Sequence, residues 1–172
     1  MIEDVLRLAR TPIGPVAYKP VNLGKTVQNV LSDLEVTLQE TNGQVEVGDL
    51  PVVEAEPVHM RQLMQNLIGN AIKFHRSDTP PHVKIYSGLD GQHAHSANAD
   101  ANEDECSIVI EDNGIGFDEK HSDRIFRVFQ KLHGRDEFEG TGIGLAICQK
   151  IMDLHGGRLQ WQASLVWVLA LS

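Results

Sequence analysis

The twenty residues EPVHMRQLMQNLIGNAIKFH, 56–75, constrain the fold more than any other stretch. Leu63, Leu67, Ile68, Ala71 and Ile72 recur at helical spacing, and Pro57 suits a first helical turn, so the segment is a helix with a broad apolar face. Such a face must be covered by other elements. Gln62, Asn66, Asn70 and Lys73 fall at steps of four, four and three and share one stripe. Asn and Gly each cost about half to one kcal/mol relative to Ala inside a helix, so Asn66, Gly69 and Asn70 together weaken it by roughly 2 kcal/mol. A solvent-exposed polar face is one explanation, although exposed helix faces favour Glu, Lys, Gln and Ala over Asn. The other is chemical: two Asn at i and i+4 offer neutral oxygens to a hard cation such as Mg²⁺, which keeps waters and phosphates in its shell.

The chain around this helix has 172 residues, the size of one domain, and is 41% hydrophobic with no apolar run long enough for a membrane span. The start, MIEDVLRLAR, lacks the pattern of a secretory signal, so a cytoplasmic location is expected. Cys106 and Cys148 stand far apart without metal-ligand spacing and suit reduced core positions. The net charge of −9 argues against broad binding to nucleic acid or to an anionic membrane.

Periodicity divides the rest into alternating elements. IEDVLRLAR has helical spacing and stops before TPIGP; VAYKPVNL is a short edge strand, because Pro20 would remove a ladder donor from a central one. Residues 22–43 carry apolar side chains at 23, 27, 30, 31, 34 and 38 and end at Asn42-Gly43, which predicts one helix. QVEVGDLPVVEA alternates like two short strands around Gly48-Asp49, and HVKIYSGL and CSIVIED read as strands joined by a small, polar, mobile loop. IGLAICQKIMDLHGG is a helix and RLQWQASLVWVLALS is strand material. The fold class is α/β (α+β), a two-layer sandwich with helices on one side of a mixed sheet.

Two glycine-rich segments carry further chemistry. In SIVIEDNGIGFD a β-branched strand runs into Asp112 and then Gly114 and Gly116; this is either a mere tight turn or a place where Asp112 accepts a hydrogen bond from an exocyclic amine such as that of adenine. It lacks the spaced acids of a calcium loop and the third glycine of a dinucleotide fingerprint. In EGTGIGLAICQKI, Gly140, Gly142 and Gly144 lead into a helix whose N-terminal amides favour phosphate, with no Walker-type Lys-Ser or Lys-Thr following. Between the two lie Lys120, Arg124, Arg127, Lys131 and Arg135 with Phe126 and Phe129, either an ordinary charged loop or a lid over a polyphosphate.

QNLIGNAIKF, DNGIGF, RIFRVFQKLH and GTGIGLAI resemble, in order, the N, G1, F and G2 boxes of the ATP-binding catalytic domain of sensor histidine kinases. The likeness runs from about Val16 to Trp161, and its wording is most similar to phytochrome-type soluble kinases. The resemblance implies a Bergerat-type ATP-binding sandwich with an ATP lid. It also implies that Asn70 ligates Mg²⁺ with Asn66 in support, that Lys73 and Lys131 face phosphate, and that Phe74 flanks the adenine. By the same resemblance, Asp112 receives the adenine amino group in a pocket shaped by Gly114 and Gly116. Gly140, Thr141, Gly142, Gly144 and Leu145 surround the phosphates. The implied partners are ATP, a histidine-bearing dimerisation hairpin and a response regulator receiver domain.

Hydrolysing relatives of the gyrase B type place a glutamate where Asn66 stands; an amide cannot take a proton from water, so phosphoryl transfer is favoured over a hydrolytic ATPase. A nucleotide-free docking module is the other alternative. No residue is assigned a catalytic role with certainty. The phosphoacceptor is missing, since Arg7 stands where the resemblance puts the phosphorylated histidine. Residues 1–13 are therefore expected to end a preceding dimerisation-hairpin helix, with the catalytic domain over 14–172. Last, LVWVLAL follows GRLQWQAS without turn residues. This favours a disrupted closing hairpin over a buried closing strand, with self-association relieved by deleting residues 165–172.

Overall fold

A computed structural model of the chain describes residues 17–88, 106–116, 143–162 and 166–171, with side chains described as far as Gln160. The expectations for residues 1–16, for the polar loop and for the charged stretch after Phe117 lie outside the described residues.

The described residues begin with β1 (Lys19–Asn22), α1 (Leu23–Asp33) and α2 (Glu35–Thr41), followed by β2 (Gln44–Val47) and β3 (Val52–Ala55). The long helix α3 (Pro57–Lys73), β4 (His82–Ser87), β5 (Cys106–Asp112), α4 (Gly144–Leu154), β6 (Arg158–Gln162) and β7 (Val166–Leu171) complete it. Five strands form one sheet in the order β2-β4-β5-β7-β6, and β1 and β3 form a separate two-stranded ribbon. The β2–β4 pair is parallel and the other pairs of the large sheet are antiparallel, so the sheet is mixed, as the sequence implies.

The apolar face of α3 supplies the centre of the core. Met60, Leu63, Met64, Leu67, Ile68 and Ile72 are completely buried, together with Ile85 of β4, Ile108 and Ile110 of β5 and Ile151 of α4. Ile85 pairs directly with Ile110, so the period-two alternation of both strands turns the same face toward α3. The helix starts where Glu56 accepts the His59 N–H at 2.7 Å and Pro57 takes the first turn. It ends at Phe74, whose N–H donates to the Asn70 carbonyl.

Two expectations change. The single helix over 22–43 is two, because Leu34 leaves helical geometry at φ −96°, ψ 4°. The apolar stripe continues regardless: Leu31, Leu34 and Leu38 all pack against the core, which is why periodicity did not reveal the break. The strands around Gly48-Asp49 exist but do not pair with each other; β2 joins β4 and β3 joins β1, which keeps Pro20 out of the large sheet. The disrupted closing hairpin is overturned. β7 pairs with β5 from Cys106↔Leu171 to Glu111↔Val166 and with β6 from Arg158↔Ala170 to Gln162↔Val166. A strand bonded along both edges lies inside the sheet, with its backbone donors and acceptors paired on both sides. The three-residue interval between Gln162 and Val166 is a hairpin length that does not demand an Asn-Gly pair. Among the described residues no helix is long and apolar enough to cross a membrane.

Deleting residues 165–172 removes this interior strand and exposes the facing edges of β5 and β6. The shortened chain is expected to lose its cooperative thermal transition by circular dichroism, and a deletion variant that melts like the parent would contradict the pairing. A second expectation concerns Gly69, where an added Cβ meets no atom within 4 Å. Gly69→Ala should stabilise the ligand-free protein by about 0.5–1 kcal/mol, read as a higher denaturation midpoint.

Candidate functional site

The polar stripe of α3 is not a solvated face. Gln62, Asn66, Asn70 and Lys73 are all only partly exposed, and the Asn66 amide nitrogen is fully buried, with no partner among the described residues beyond the weak sulfur acceptor of Cys148. A buried amide without a strong acceptor is poorly compensated for its lost hydration, so burial adds to the propensity cost already noted. The stripe is covered by the start of α4. A Cβ built on Gly144 would stand 3.7 Å from Asn66 Oδ1 and 3.8 Å from Asn70 Nδ2. The backbone of the first α4 turn thus lies against both amides. Among the described residues that turn has no side-chain cap, and Ile143 before it contributes no capping bond.

The end of β5 meets the end of α3. Ile115 N–H donates to the Phe74 carbonyl at 3.0 Å, and Gly114 N–H donates to Asp112 Oδ1 at 2.8 Å. A Cβ on Gly114 would come within 2.5 Å of the Phe74 oxygen and 2.8 Å of the Asp112 oxygen, so no side chain fits there. Gly116 is required for a different reason, its φ of 67°. Burial raises the Asp112 carboxyl to about 6, against the lowering effect of the Gly114 N–H and with a further raising contribution from Glu111. The carboxyl therefore ionises within the physiological approach to neutrality and accepts hydrogen bonds above it.

Of the residues singled out from sequence, Asn66, Asn70 and Gly144 are brought into one cluster, and Phe74, Asp112 and Gly114 into a second. Lys73 carries its ammonium 5.2 Å from the centre of the Phe74 ring, which ties the stripe to the second cluster. Leu145 is partly buried against the core. Lys131, Gly140, Thr141 and Gly142 lie outside the described residues. Among the described residues no three His, Cys, Asp or Glu side chains gather as metal ligands. A cation here would need amide oxygens and oxygens of a ligand, and the paired amides under Gly144 fit that donor type.

One expected core residue and one missed residue border the site. Cys148 on α4 is completely buried beside the Asn66 side chain; burial pushes its thiol up to about 12 although the amide works the other way, so it stays protonated. Asn113 bridges the site to the turn before β4, accepting the His82 N–H at 2.8 Å and donating to the Pro80 carbonyl at 3.1 Å. Its position between Asp112 and Gly114 was the available signal, because Asn is a residue that bonds nearby backbone in turns.

Residues 55–168 match the family described as histidine kinase-, DNA gyrase B-, and HSP90-like ATPase. Cyanobacterial phytochrome A from Nostoc sp. is 39% identical over 165 residues, which are 96% of this chain and 20% of that protein. Phytochrome-like protein Cph1 from Synechocystis sp. is 36% identical over 159 residues, 92% of this chain and 20% of its own length. The chain thus spans about a fifth of the length of these curated relatives. Full-length ShkA in complex with AMPPNP shares the fold with a TM-score of 0.74 at 21% identity, over 99% of this chain and 34% of that one. Histidine kinase ThkA in complex with response regulator protein TrrA shares it at 0.70 and 19% identity, over 99% of this chain and 45% of the other. The match to residues 55–168, over most of the chain, shows that the chain belongs to the histidine kinase-, DNA gyrase B-, and HSP90-like ATPase family.

Proposed function

We propose that the chain is the ATP- and Mg²⁺-binding catalytic domain of a sensor histidine kinase. It donates the γ-phosphoryl of ATP to a histidine on a dimerisation hairpin in two-component signalling, in the cytoplasm. The observation that carries this reading is the convergence of the Asn66–Asn70 pair on the start of α4, on the same helix whose end is bonded to the turn that follows Asp112. The division at residue 13 between hairpin and catalytic domain belongs to the same reading. ShkA in complex with AMPPNP supports ATP as the ligand, and ThkA in complex with TrrA supports a response regulator receiver domain as a partner.

The residues take complementary parts. Asp112 accepts the adenine amino group, Gly114 and Gly116 let the backbone approach the base, and Phe74 flanks it. The α4 amides from Gly144 and Leu145 onward, with Gly140, Thr141 and Gly142 before them, hold phosphate oxygens. Lys73 and Lys131 add positive charge beside the polyphosphate. Asn70 would hold Mg²⁺, with Asn66 behind it; the ion when bound neutralises charge shared between the phosphates. Asn66 has no carboxylate to deprotonate water, and its amide nitrogen is desolvated, so hydrolysis is not promoted at this place. Transfer then depends on positioning rather than on an acid or base, in keeping with phosphoryl-transfer sites generally.

Titration with a fluorescent ATP analogue, with and without Mg²⁺, tests the reading. Binding should need Mg²⁺ for full strength, and Asp112→Ala should weaken it by about 1–3 kcal/mol while the fold is retained. An Asp112→Ala protein that binds like the parent would remove the adenine assignment. The ionisation of Asp112 gives a second expectation. In the free protein its pKa is raised to about 6, and the adenine amine is a donor that prefers the carboxylate, so binding displaces the proton. Affinity should therefore fall as pH drops below about 6 and level off above it. Asp112→Asn should flatten this acid limb after correction for nucleotide protonation, measured by calorimetry across pH 5 to 8.

A further inference from the structure

We propose that Asn113 is a positioning residue that fixes the Asp112 carboxylate for recognition of the adenine base, an inference that rests on the assignment of Asp112 above. The backbone ladder between β4 and β5 ends at the pair Val83↔Asp112. One residue further on, the Asn113 side chain takes over from the backbone. Its Oδ1 accepts the His82 N–H at 2.8 Å and its Nδ2 donates to the Pro80 carbonyl at 3.1 Å.

The segment it grips is itself held. Pro80 and Pro81 have fixed φ and no N–H to exchange, Pro81 is buried, and the Pro81 carbonyl accepts the Gln44 N–H of β2 at 2.9 Å. Asn113 therefore ties the loop after β5 to a stiff turn anchored on the sheet edge. Its two chain neighbours are the groups the site depends on: the Asp112 carboxyl and the Gly114 N–H that donates to it. A shift of residue 113 carries both. The double bond pattern also selects the side chain, since Asp offers no donor for Pro80, Ser is one bond too short, and Gln is one methylene too long.

The test is a double-mutant cycle on the full chain, read by titration of a fluorescent ATP analogue with Mg²⁺. Asn113→Ala should weaken binding roughly five- to tenfold, as expected for loss of hydrogen bonds that hold a ligand group. In an Asp112→Ala background the same change should have no further effect, because it acts through the carboxylate. Equal losses in both backgrounds would mean that Asn113 merely supports the fold, and unchanged affinity in Asn113→Ala would mean that it does nothing; either result overturns the proposal. Should Asn113→Ala fail to fold, the cycle is run with Asn113→Asp. That variant keeps the acceptor for His82 and is expected to show a smaller loss that again vanishes with Asp112→Ala. The underlying assignment fails separately, by Asp112→Ala alone leaving affinity unchanged.

Discussion

The close approach of Gly114 to the Phe74 carbonyl is the constraint on which the arrangement of the site depends. Phe74 ends α3 and Gly114 follows β5, two elements about forty residues apart in sequence, and the Ile115 N–H joins them at 3.0 Å. Because a Cβ on Gly114 would lie 2.5 Å from that carbonyl, the contact exists only for glycine. It sets where the Asp112 carboxyl stands relative to the asparagine stripe, and it satisfies a carbonyl that the helix end would otherwise leave without a partner.

On the proposed reading, the stripe trades helix stability for affinity. Asn66 and Asn70 are poor helix formers, and the structure adds a desolvated amide to that cost. The rest of α3 offsets it through six completely buried large side chains, each contributing about 1.5–3 kcal/mol. A helix can carry misfit polar groups on one face when the opposite face is this well covered.

Period and punctuation made most of the fold legible. The apolar rows of α3, β4 and β5 identify themselves, as do Asp112 between a buried strand and two glycines and the glycines that open α4. What the sequence concealed has physical causes. The break at Leu34 leaves every apolar residue on the same side, so a pattern of side chains cannot register it. The place of β7 between β5 and β6 is a long-range choice; locally, LVWVLAL reads equally as a buried strand or as a loose apolar end, and only the pairing partners decide. Asn113 was hidden by its neighbours, whose roles are easier to recognise, and its own partners lie more than thirty residues away.

The orientation of α4 is set at the end far from the site. Gly144 lies against residues 66 and 70 of α3, whereas His155, just past the other end of α4, reaches the start of α3: its Nε2 accepts the Glu56 N–H at 3.2 Å. The two helices are therefore antiparallel and pinned at both ends. His155 Nδ1 donates to the Ile151 carbonyl at 2.7 Å, so the ring is held as the neutral tautomer with a hydrogen on Nδ1. Its ring packs edge-on against His59, which is itself buried and held below the ordinary histidine range by that burial; the Tyr18 hydroxyl closes the cluster by donating to the Leu154 carbonyl. A helix of eleven residues is about 16 Å long, so a tilt permitted at His155 would move Gly144 by a sizeable fraction of a hydrogen-bond length for every few degrees. The amides at the head of α4 can meet the asparagine stripe because a buried, uncharged histidine pair anchors its tail.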